Sequence, residues 1–247
     1  MAVLVRGKPP SDWKIQVKAF VRERYAHLAA ADGFPDGGAG RALGAGYPAE
    51  WVDALPGRVA GAYCGCGYAL EDVDLSGVRL AVDLGCGAGL DSRLLAEELG
   101  GGCVLALDLA LPMLKRVREA AHEARGAAVH PAAGDMESLP IGSGAADLVL
   151  ANASLNLLVD KGKALAEIGR VLRPGGKFVA RELLREGALP SEIAEDPTAW
   201  NASLGGVIEE DEWRVLFREA GFSGVRISHH RPFRPVVSAR MEAVKPF

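Results

Sequence analysis

Short apolar runs alternate with helical patterns over most of the chain. Each run is nearly continuous in apolar residues, which is typical of strands that are covered on both faces of a parallel sheet. The runs and the segments of helical periodicity between them predict a doubly wound α/β fold. The predicted strands are 80–85, 103–108, 127–131, 146–152 and 177–184, and the predicted helices are 91–99, 111–125 and 163–172.

The end of the chain has a different pattern. A helix is predicted at about 211–220, and two strand-like runs, 224–230 and 236–244, follow it with no helix between them. Consecutive strands without a crossover favour an antiparallel hairpin. The predicted fold class is therefore a Rossmann-like, mostly parallel sheet with an antiparallel closing hairpin.

The first 77 residues predict an N-terminal helical cap. Val17, Phe20, Val21, Tyr25 and Leu28 fall on one helical face, and Pro48 can start a short helix. The segment 33–48 is rich in glycine and is predicted as a mobile loop. The expected organisation is a cap or lid with a glycine-rich loop in 1–77 and a catalytic domain in 78–247.

Composition and charge narrow the classes of function. The 247 residues suit one α/β domain, and 28 basic against 32 acidic residues leave a net charge of −4. A negative net charge does not favour binding to nucleic acid or to an anionic membrane. No apolar stretch is long enough to span a membrane, and we expect neither a signal peptide nor a disulfide framework. We expect a cytoplasmic protein with a small-molecule substrate, and its oligomeric state stays open.

A glycine-rich turn follows the first predicted strand of the sheet. Gly85, Gly87 and Gly89 follow Asp83 in the sequence VDLGCGAG. Glycines allow a tight turn and a close approach of the backbone to a ligand. The spacing is GxGxG, whereas dinucleotide-binding turns have GxGxxG. A carboxylate such as Asp83 suits a ligand with an ammonium group better than one with a diphosphate.

Two further carboxylates follow the next strands. Asp108 ends the second strand about 20 residues after the glycine turn, where an acidic side chain can accept hydrogen bonds from both ribose hydroxyls. Asp135 follows the third strand and can accept from an adenine amino group, with Leu109 and Met136 as apolar flanks. Together these residues predict a site for an adenosine that carries an amino acid.

These motifs resemble those of the class I S-adenosylmethionine-dependent methyltransferases. The resemblance covers about 78 to the C-terminus, and its most specific part is a helix followed by Leu172-Arg173-Pro174-Gly175-Gly176 and a strand. It implies that S-adenosylmethionine is the cofactor and that Asn152, after the fourth strand, contributes to its site. An alternative function on the same fold is that of a nicotinamide-dependent oxidoreductase, and the GxGxG spacing disfavours it.

Within that superfamily the chain resembles the arsenite methyltransferases. The shared segments are 21–25 (VRERY), 63–67 (YCGCG), 152–157 and the glycine pair at 205–206. Members of that family bind trivalent arsenic through cysteine thiolates, as a soft ion requires. Here Ala153 replaces one such cysteine, 201–203 (NAS) replaces another, and only Cys66 remains, with Cys64 beside it. We therefore expect neither a three-thiolate arsenic site nor any other metal site.

The resulting hypothesis is methyl transfer to a small acceptor other than inorganic arsenite. The substrate candidates are Tyr25, Tyr63, Cys64, Cys66 and Glu182. A soft nucleophile needs no general base during transfer, and no residue is assigned that role. Two alternatives stay open. One is a methyltransferase for methylated arsenicals or thiols that uses Cys64 and Cys66, and the other is a catalytically idle relative that binds the cofactor.

Overall fold

A computed structural model describes residues 13–30, 38–121, 126–190 and 203–247. The strands are β1 (Leu80–Leu84), β2 (Cys103–Asp108), β3 (Ala128–Ala133), β4 (Ala146–Asn152), β5 (Leu172–Leu184), β6 (Ser223–Phe233) and β7 (Val236–Val244). The α-helices are α1 (Trp13–Ala30), α2 (Gly38–Gly44), α3 (Ala49–Ala54), α4 (Gly57–Ala60), α5 (Leu90–Leu99), α6 (Leu111–Ala121), α7 (Lys161–Val171) and α8 (Glu210–Glu219).

The seven strands form one sheet in the order β3-β2-β1-β4-β5-β7-β6. The first five strands are parallel to their neighbours, and β7 pairs antiparallel with both β5 and β6. The predicted fold class, including the antiparallel closing hairpin, is therefore confirmed. The strand order reverses direction at β1, so the carboxyl ends of β1 and β4 border a crevice suited to a ligand.

Both faces of the sheet are covered, which explains the continuous apolar strands. On one face, Phe178 of β5 packs against Trp213 and Phe217 of α8. On the other face, Leu148 and Leu150 of β4 belong to a second buried cluster with residues of α2 to α5. Burial of these side chains stabilises the sheet from both sides, at about 1.5–3 kcal/mol for each large apolar residue.

The cap region departs from its prediction in two places. The prediction of an irregular loop at 33–48 is wrong for 38–44, which form α2; 33–37 lie outside the described residues. Gly38 is required there by packing, because a Cβ on it would lie 2.3 Å from the carbonyl oxygen of Gly61. In α1, Val17 is buried as expected, but Phe20 is 51% exposed.

Helix α1 lies against the sheet domain and packs on α6. Lys14 forms an ion pair with Asp160, with 2.5 Å between Nζ and Oδ2. Arg116 of α6 donates a hydrogen bond to the carbonyl oxygen of Ala29 at the end of α1. No helix within the described ranges combines the length and apolar character that crossing a membrane requires.

Candidate functional site

A cavity opens at the carboxyl ends of β1, β2 and β4. The middle of α1 and residues 59–65, which precede β1, also line it. Most of the predicted site residues line this cavity: Tyr25, Tyr63, Cys64, Asp83, Gly85, Gly87, Asp108, Leu109, Asp135, Met136 and Asn152.

The three glycines of the turn after β1 differ in what surrounds them. All have positive φ angles, of 71°, 53° and 88° in chain order. A Cβ on Gly85 would lie 2.5 Å from Cβ of Ser154, whereas a Cβ on Gly87 would meet nothing within 4 Å. Gly89 precedes α5, packs against Val117 and does not line the cavity. Gly85 and Gly87 therefore both border the cavity with their backbone, but only Gly87 has open space in the direction of a Cβ.

Asp108 is held in place by the backbone of two neighbouring segments. Its Oδ2 accepts a hydrogen bond from the amide of Gly87 at 2.9 Å, and its Oδ1 accepts from the amide of Ala110 at 2.7 Å. Burial raises the pKa of this carboxyl, and these two amides lower it in part. Each carboxylate oxygen keeps further acceptor capacity, so the side chain can still accept hydroxyl groups of a ligand.

Asp135 is tied both to its own turn and to the cap. Its Oδ1 accepts from the amide of Glu137 at 2.9 Å, and its Oδ2 lies 2.6 Å from Nζ of Lys18 in α1. Lys18 also lies 3.2 Å from the carboxylate of Glu137. These carboxylates raise the pKa of Lys18 against the effect of burial. The cap therefore contributes a positive charge to the cavity wall beside Asp135.

A second carboxyl lies with Asp83 in the cavity wall. Asp83 accepts a hydrogen bond from Oγ of Ser92 at 2.5 Å, and Asp91 accepts one from Oη of Tyr47 at 2.7 Å. Burial raises the pKa of both carboxyls, and the charge of Asp91 raises that of Asp83 further. A cationic group in the cavity would offset this repulsion. The pair suits a ligand with an ammonium group.

Asn152 connects the acidic pair to the segment before β1. Its Nδ2 donates to Oδ2 of Asp91 and to the carbonyl oxygen of Gly67, each at 2.9 Å, and its Oδ1 accepts from the amide of Cys66. Sequence reasoning missed Asp91 and Tyr47. The sequence does contain a signal for Asp91, since this residue lies in the first turn of the helix that follows the glycine turn. No sequence pattern points to Tyr47.

A second cavity continues from the first. The two share Tyr25, Cys64, Gly65 and Ala153 in their walls, and Cys66 lines the second one only. Burial raises the pKa of the Cys64 thiol to about 12, and burial together with the charge of Glu182 raises that of Cys66. Both thiols are therefore protonated near neutral pH.

The structure does not bring Glu182 into either cavity. It is fully buried, and its carboxylate accepts hydrogen bonds from the backbone amides of Ser154, Leu155 and Asn156. It thereby fixes the turn after β4, while burial raises its pKa to about 7. In the segment 201–203, only Ser203 lies within the residues that the structure describes, and it lines the second cavity.

The fold and the cavity define the class as a Rossmann-like methyltransferase domain. A protein-family model described as a methyltransferase domain matches residues 79–221, more than half of the chain. The chain therefore belongs to the methyltransferase-domain family, whose methyl donor is S-adenosylmethionine.

Curated relatives in this family differ in their acceptors. The chain is 30% identical to an arsenite methyltransferase of Halobacterium salinarum over 148 residues, which are 60% of this chain and 38% of that protein. It is 40% identical to a malonyl-[acyl-carrier protein] O-methyltransferase of Pseudescherichia vulneris over 121 residues, which are 49% of this chain and 43% of that protein. The chain thus spans less than half of either relative.

Solved structures support the fold. An arsenic(III) S-adenosylmethionine methyltransferase from Chlamydomonas reinhardtii superposes with a TM-score of 0.64 at 21% identity, covering 85% of this chain and 73% of that one. A phosphoethanolamine N-methyltransferase of Haemonchus contortus, in complex with S-adenosyl-L-methionine, gives 0.64 at 18% identity and covers 74% and 54%. At these identities the similarity establishes the shared fold alone.

Proposed function

We propose that the protein transfers a methyl group from S-adenosylmethionine to a small acceptor other than inorganic arsenite. The observation that carries this proposal is the arrangement of the first cavity. Its wall combines a glycine backbone open to the cavity at Gly87, a carboxylate held at Asp108, and the acidic pair Asp83 and Asp91. An adenosine that carries an amino acid needs these three features together.

We assign each part of the cofactor to particular side chains of this cavity wall. Asp108 would accept the ribose hydroxyls, and Asp83 with Asp91 would face the ammonium group of the methionine part. Leu109 and Met136 would flank the adenine, whose amino group would donate to Asp135. These roles agree with the lining of the cavity, in which all of these side chains take part.

The acceptor would enter from the second cavity, past Cys64 and Tyr25. The sulfonium group of the cofactor supplies an activated methyl group, so the protein mainly has to align the acceptor and exclude water. Burial raises the pKa values of Tyr25 and Tyr63 above the usual value for tyrosine, so both phenols stay protonated at neutral pH. Neither is suited to act as a general base, which favours a soft acceptor such as a thiol or a methylated arsenical.

The cap would close the site during the reaction. Lys18, Val21 and Tyr25 of α1 all line the first cavity, so this helix separates the cavity from solvent along one side. Exclusion of water protects the reactive methyl group from hydrolysis. The cap would have to open for exchange of the cofactor product.

Calorimetry with S-adenosylhomocysteine tests the cofactor site. We expect binding by the intact chain and a loss of at least about tenfold in affinity for Asp108→Ala, since hydrogen bonds to a charged acceptor contribute about 1.5–3 kcal/mol each. Asp53→Ala is the matched control, because Asp53 is an exposed carboxylate of α3. Unchanged affinity of Asp108→Ala would refute the assignment.

Labelled S-adenosylmethionine then tests the activity. The donor is incubated with thiols of different charge, a monomethyl arsenical and inorganic arsenite, and the transferred methyl group is counted. We expect product with at least one thiol or the methylated arsenical. Cofactor binding without transfer to any of them would instead favour a catalytically idle relative.

A further inference from the structure

The second cavity is lined by three arginines and, among the described residues, by no carboxylate. Arg24 comes from α1, Arg41 from α2 and Arg231 from β6. The chain as a whole carries a net charge of −4. Three elements that are far apart in sequence thus concentrate positive charge at one place in an acidic protein.

Two of these arginines lie close to the point where the cavities meet. The positive charges of Arg41 and Arg24 both lower the pKa of Cys64, which lines both cavities, although burial raises it more. The Nε of Arg24 is buried and has no hydrogen-bond partner in the described part of the chain. A buried donor without a partner is costly unless a ligand or water satisfies it.

The far wall of the cavity is held more firmly. Arg231 donates a hydrogen bond to the carbonyl oxygen of Ala45 at 2.9 Å, and its other terminal nitrogen lies 3.2 Å from the carboxylate of Glu71. This carboxylate offsets part of the charge of Arg231 and fixes its guanidinium. Helix α2 and the strand β6 are thereby joined across the cavity.

A fourth arginine lies behind this wall. The side chain of Arg181 is fully buried, and none of its three guanidinium nitrogens has a partner within the described ranges. Burial, and to a smaller extent the repulsion of Arg231, lower the pKa of Arg181. It is close to Cys66, whose thiol donates to its carbonyl oxygen. A buried guanidinium whose nitrogens have no hydrogen-bond partner in the described part of the chain adds positive potential to the cavity beside it, although the charge of Glu71 offsets part of it.

We propose that this cavity binds an anionic oxygen group, a carboxylate or a phosphate, that belongs to the methyl acceptor. The inference rests on the proposed function, because it defines the acceptor of the same site. Guanidinium groups pair with such oxygens through two parallel hydrogen bonds. The anionic end of the acceptor would lie among the arginines, and its nucleophilic end would extend past Cys64 towards the cofactor. Neutral and cationic acceptors lack the first contact.

Thermal unfolding in the presence of simple ions tests this proposal. The probes are inorganic phosphate, malonate and choline chloride at constant ionic strength, each with and without S-adenosylhomocysteine. We expect phosphate, malonate or both to raise the Tm of the intact chain, whereas choline does not. Stabilisation by one anion only would identify the acceptor group as a phosphate or as a carboxylate.

Variants show whether the arginines cause the effect. In the double variant Arg24→Gln/Arg41→Gln, the anion concentration needed for half of the stabilisation should rise at least about tenfold. Arg22→Gln removes one positive charge from the exposed surface of α1, outside the cavity, and should behave as the intact chain. Stabilisation by S-adenosylhomocysteine should persist in both variants, which also shows that they fold.

The two proposals fail in different ways. Equal stabilisation of the intact chain and the double variant by the anions, or none in either, would overturn the anion site even if S-adenosylhomocysteine binds. A lack of stabilisation by S-adenosylhomocysteine would count against the proposed function. The anion measurements without this ligand would still decide whether the arginines form a binding site.

Discussion

The ammonium group of Lys18 lies 2.6 Å from the carboxylate of Asp135, although 117 residues separate them in sequence. Through this ion pair, α1 reaches across the cavity to the turn after β3. If Asp135 binds the adenine as proposed, the contact would couple the position of α1 to the cofactor site.

We expect Lys18→Gln to speed up the release of the cofactor product. Both partners of the ion pair are about one-third exposed, so it should contribute only about 0.2–1 kcal/mol. This corresponds to an increase of about 1.4- to fivefold in the dissociation rate of S-adenosylhomocysteine, measured by stopped flow. Lys115→Gln, an exposed lysine of α6, is the control. An unchanged rate would show that the ion pair does not hold the cap closed.

The glycine turn gives a second prediction. Gly87→Val should abolish stabilisation by S-adenosylhomocysteine, because the new side chain would occupy the open space beside the backbone. Gly77→Val is a matched control, since Gly77 also has a positive φ and also has no atom within 4 Å of a Cβ. The left-handed conformation should cost each variant about 1–2 kcal/mol in the free energy of unfolding. Retained stabilisation in Gly87→Val would exclude a close approach of the cofactor there.

The acidic pair predicts a dependence on pH. The side-chain carboxyl of Asp has a pKa of about 3.9 in an unfolded chain. In the folded protein, burial and the charge of Asp91 raise the pKa of Asp83. The folded state therefore binds the proton more tightly, so the contribution of Asp83 to stability is full below about pH 4 and is lost as the pH rises towards the raised value. Asp83→Asn cannot ionise, and its Tm should fall less over this range.

The same substitution should weaken the cofactor site. Asp83→Asn should unfold at a higher Tm than the intact chain at about pH 8 but bind S-adenosylhomocysteine less tightly, since it has lost a negative charge that faces the ammonium group. Thermal unfolding and calorimetry measure the two effects. Asp53→Asn, at an exposed position, should change neither. Tighter binding by Asp83→Asn would contradict the assignment of this carboxyl.

Inorganic arsenite should be a poor acceptor. Tight binding of trivalent arsenic needs several converging thiolates, and Ala153, which lines both cavities, supplies none. The thiols of Cys64 and Cys66 are protonated near neutral pH because burial raises their pKa values. With S-adenosylmethionine and a thiol reductant, we expect little methylated product from inorganic arsenite.

A monomethyl arsenical needs fewer protein ligands, so it should be accepted only while Cys66 is present. Cys64→Ser/Cys66→Ser is the informative variant, and cofactor binding provides its control for folding. Efficient conversion of inorganic arsenite by this double variant would contradict the whole argument from the cysteines.

The sheet could be predicted from the sequence because each of its strands carries a local signal. The strands at 103–108, 146–152 and 236–244 have the predicted bounds, since continuous apolar runs are required where both faces are covered. The cap was predicted less well. Gly38 and its neighbours form α2, which depends on close packing against Gly61 rather than on the helical preference of its own residues.

The sequence by itself determined that the acidic residues Asp83, Asp108 and Asp135 lie at one edge of the sheet, because parallel strands bring their carboxyl ends together there. Only the tertiary structure decided what lies opposite them. Arg24, Arg41 and Arg231 come from three elements with no shared sequence pattern, and folding brings them to one cavity. Charges that converge from distant segments leave no local periodicity, so only the folded chain shows the positive charge of the proposed acceptor site.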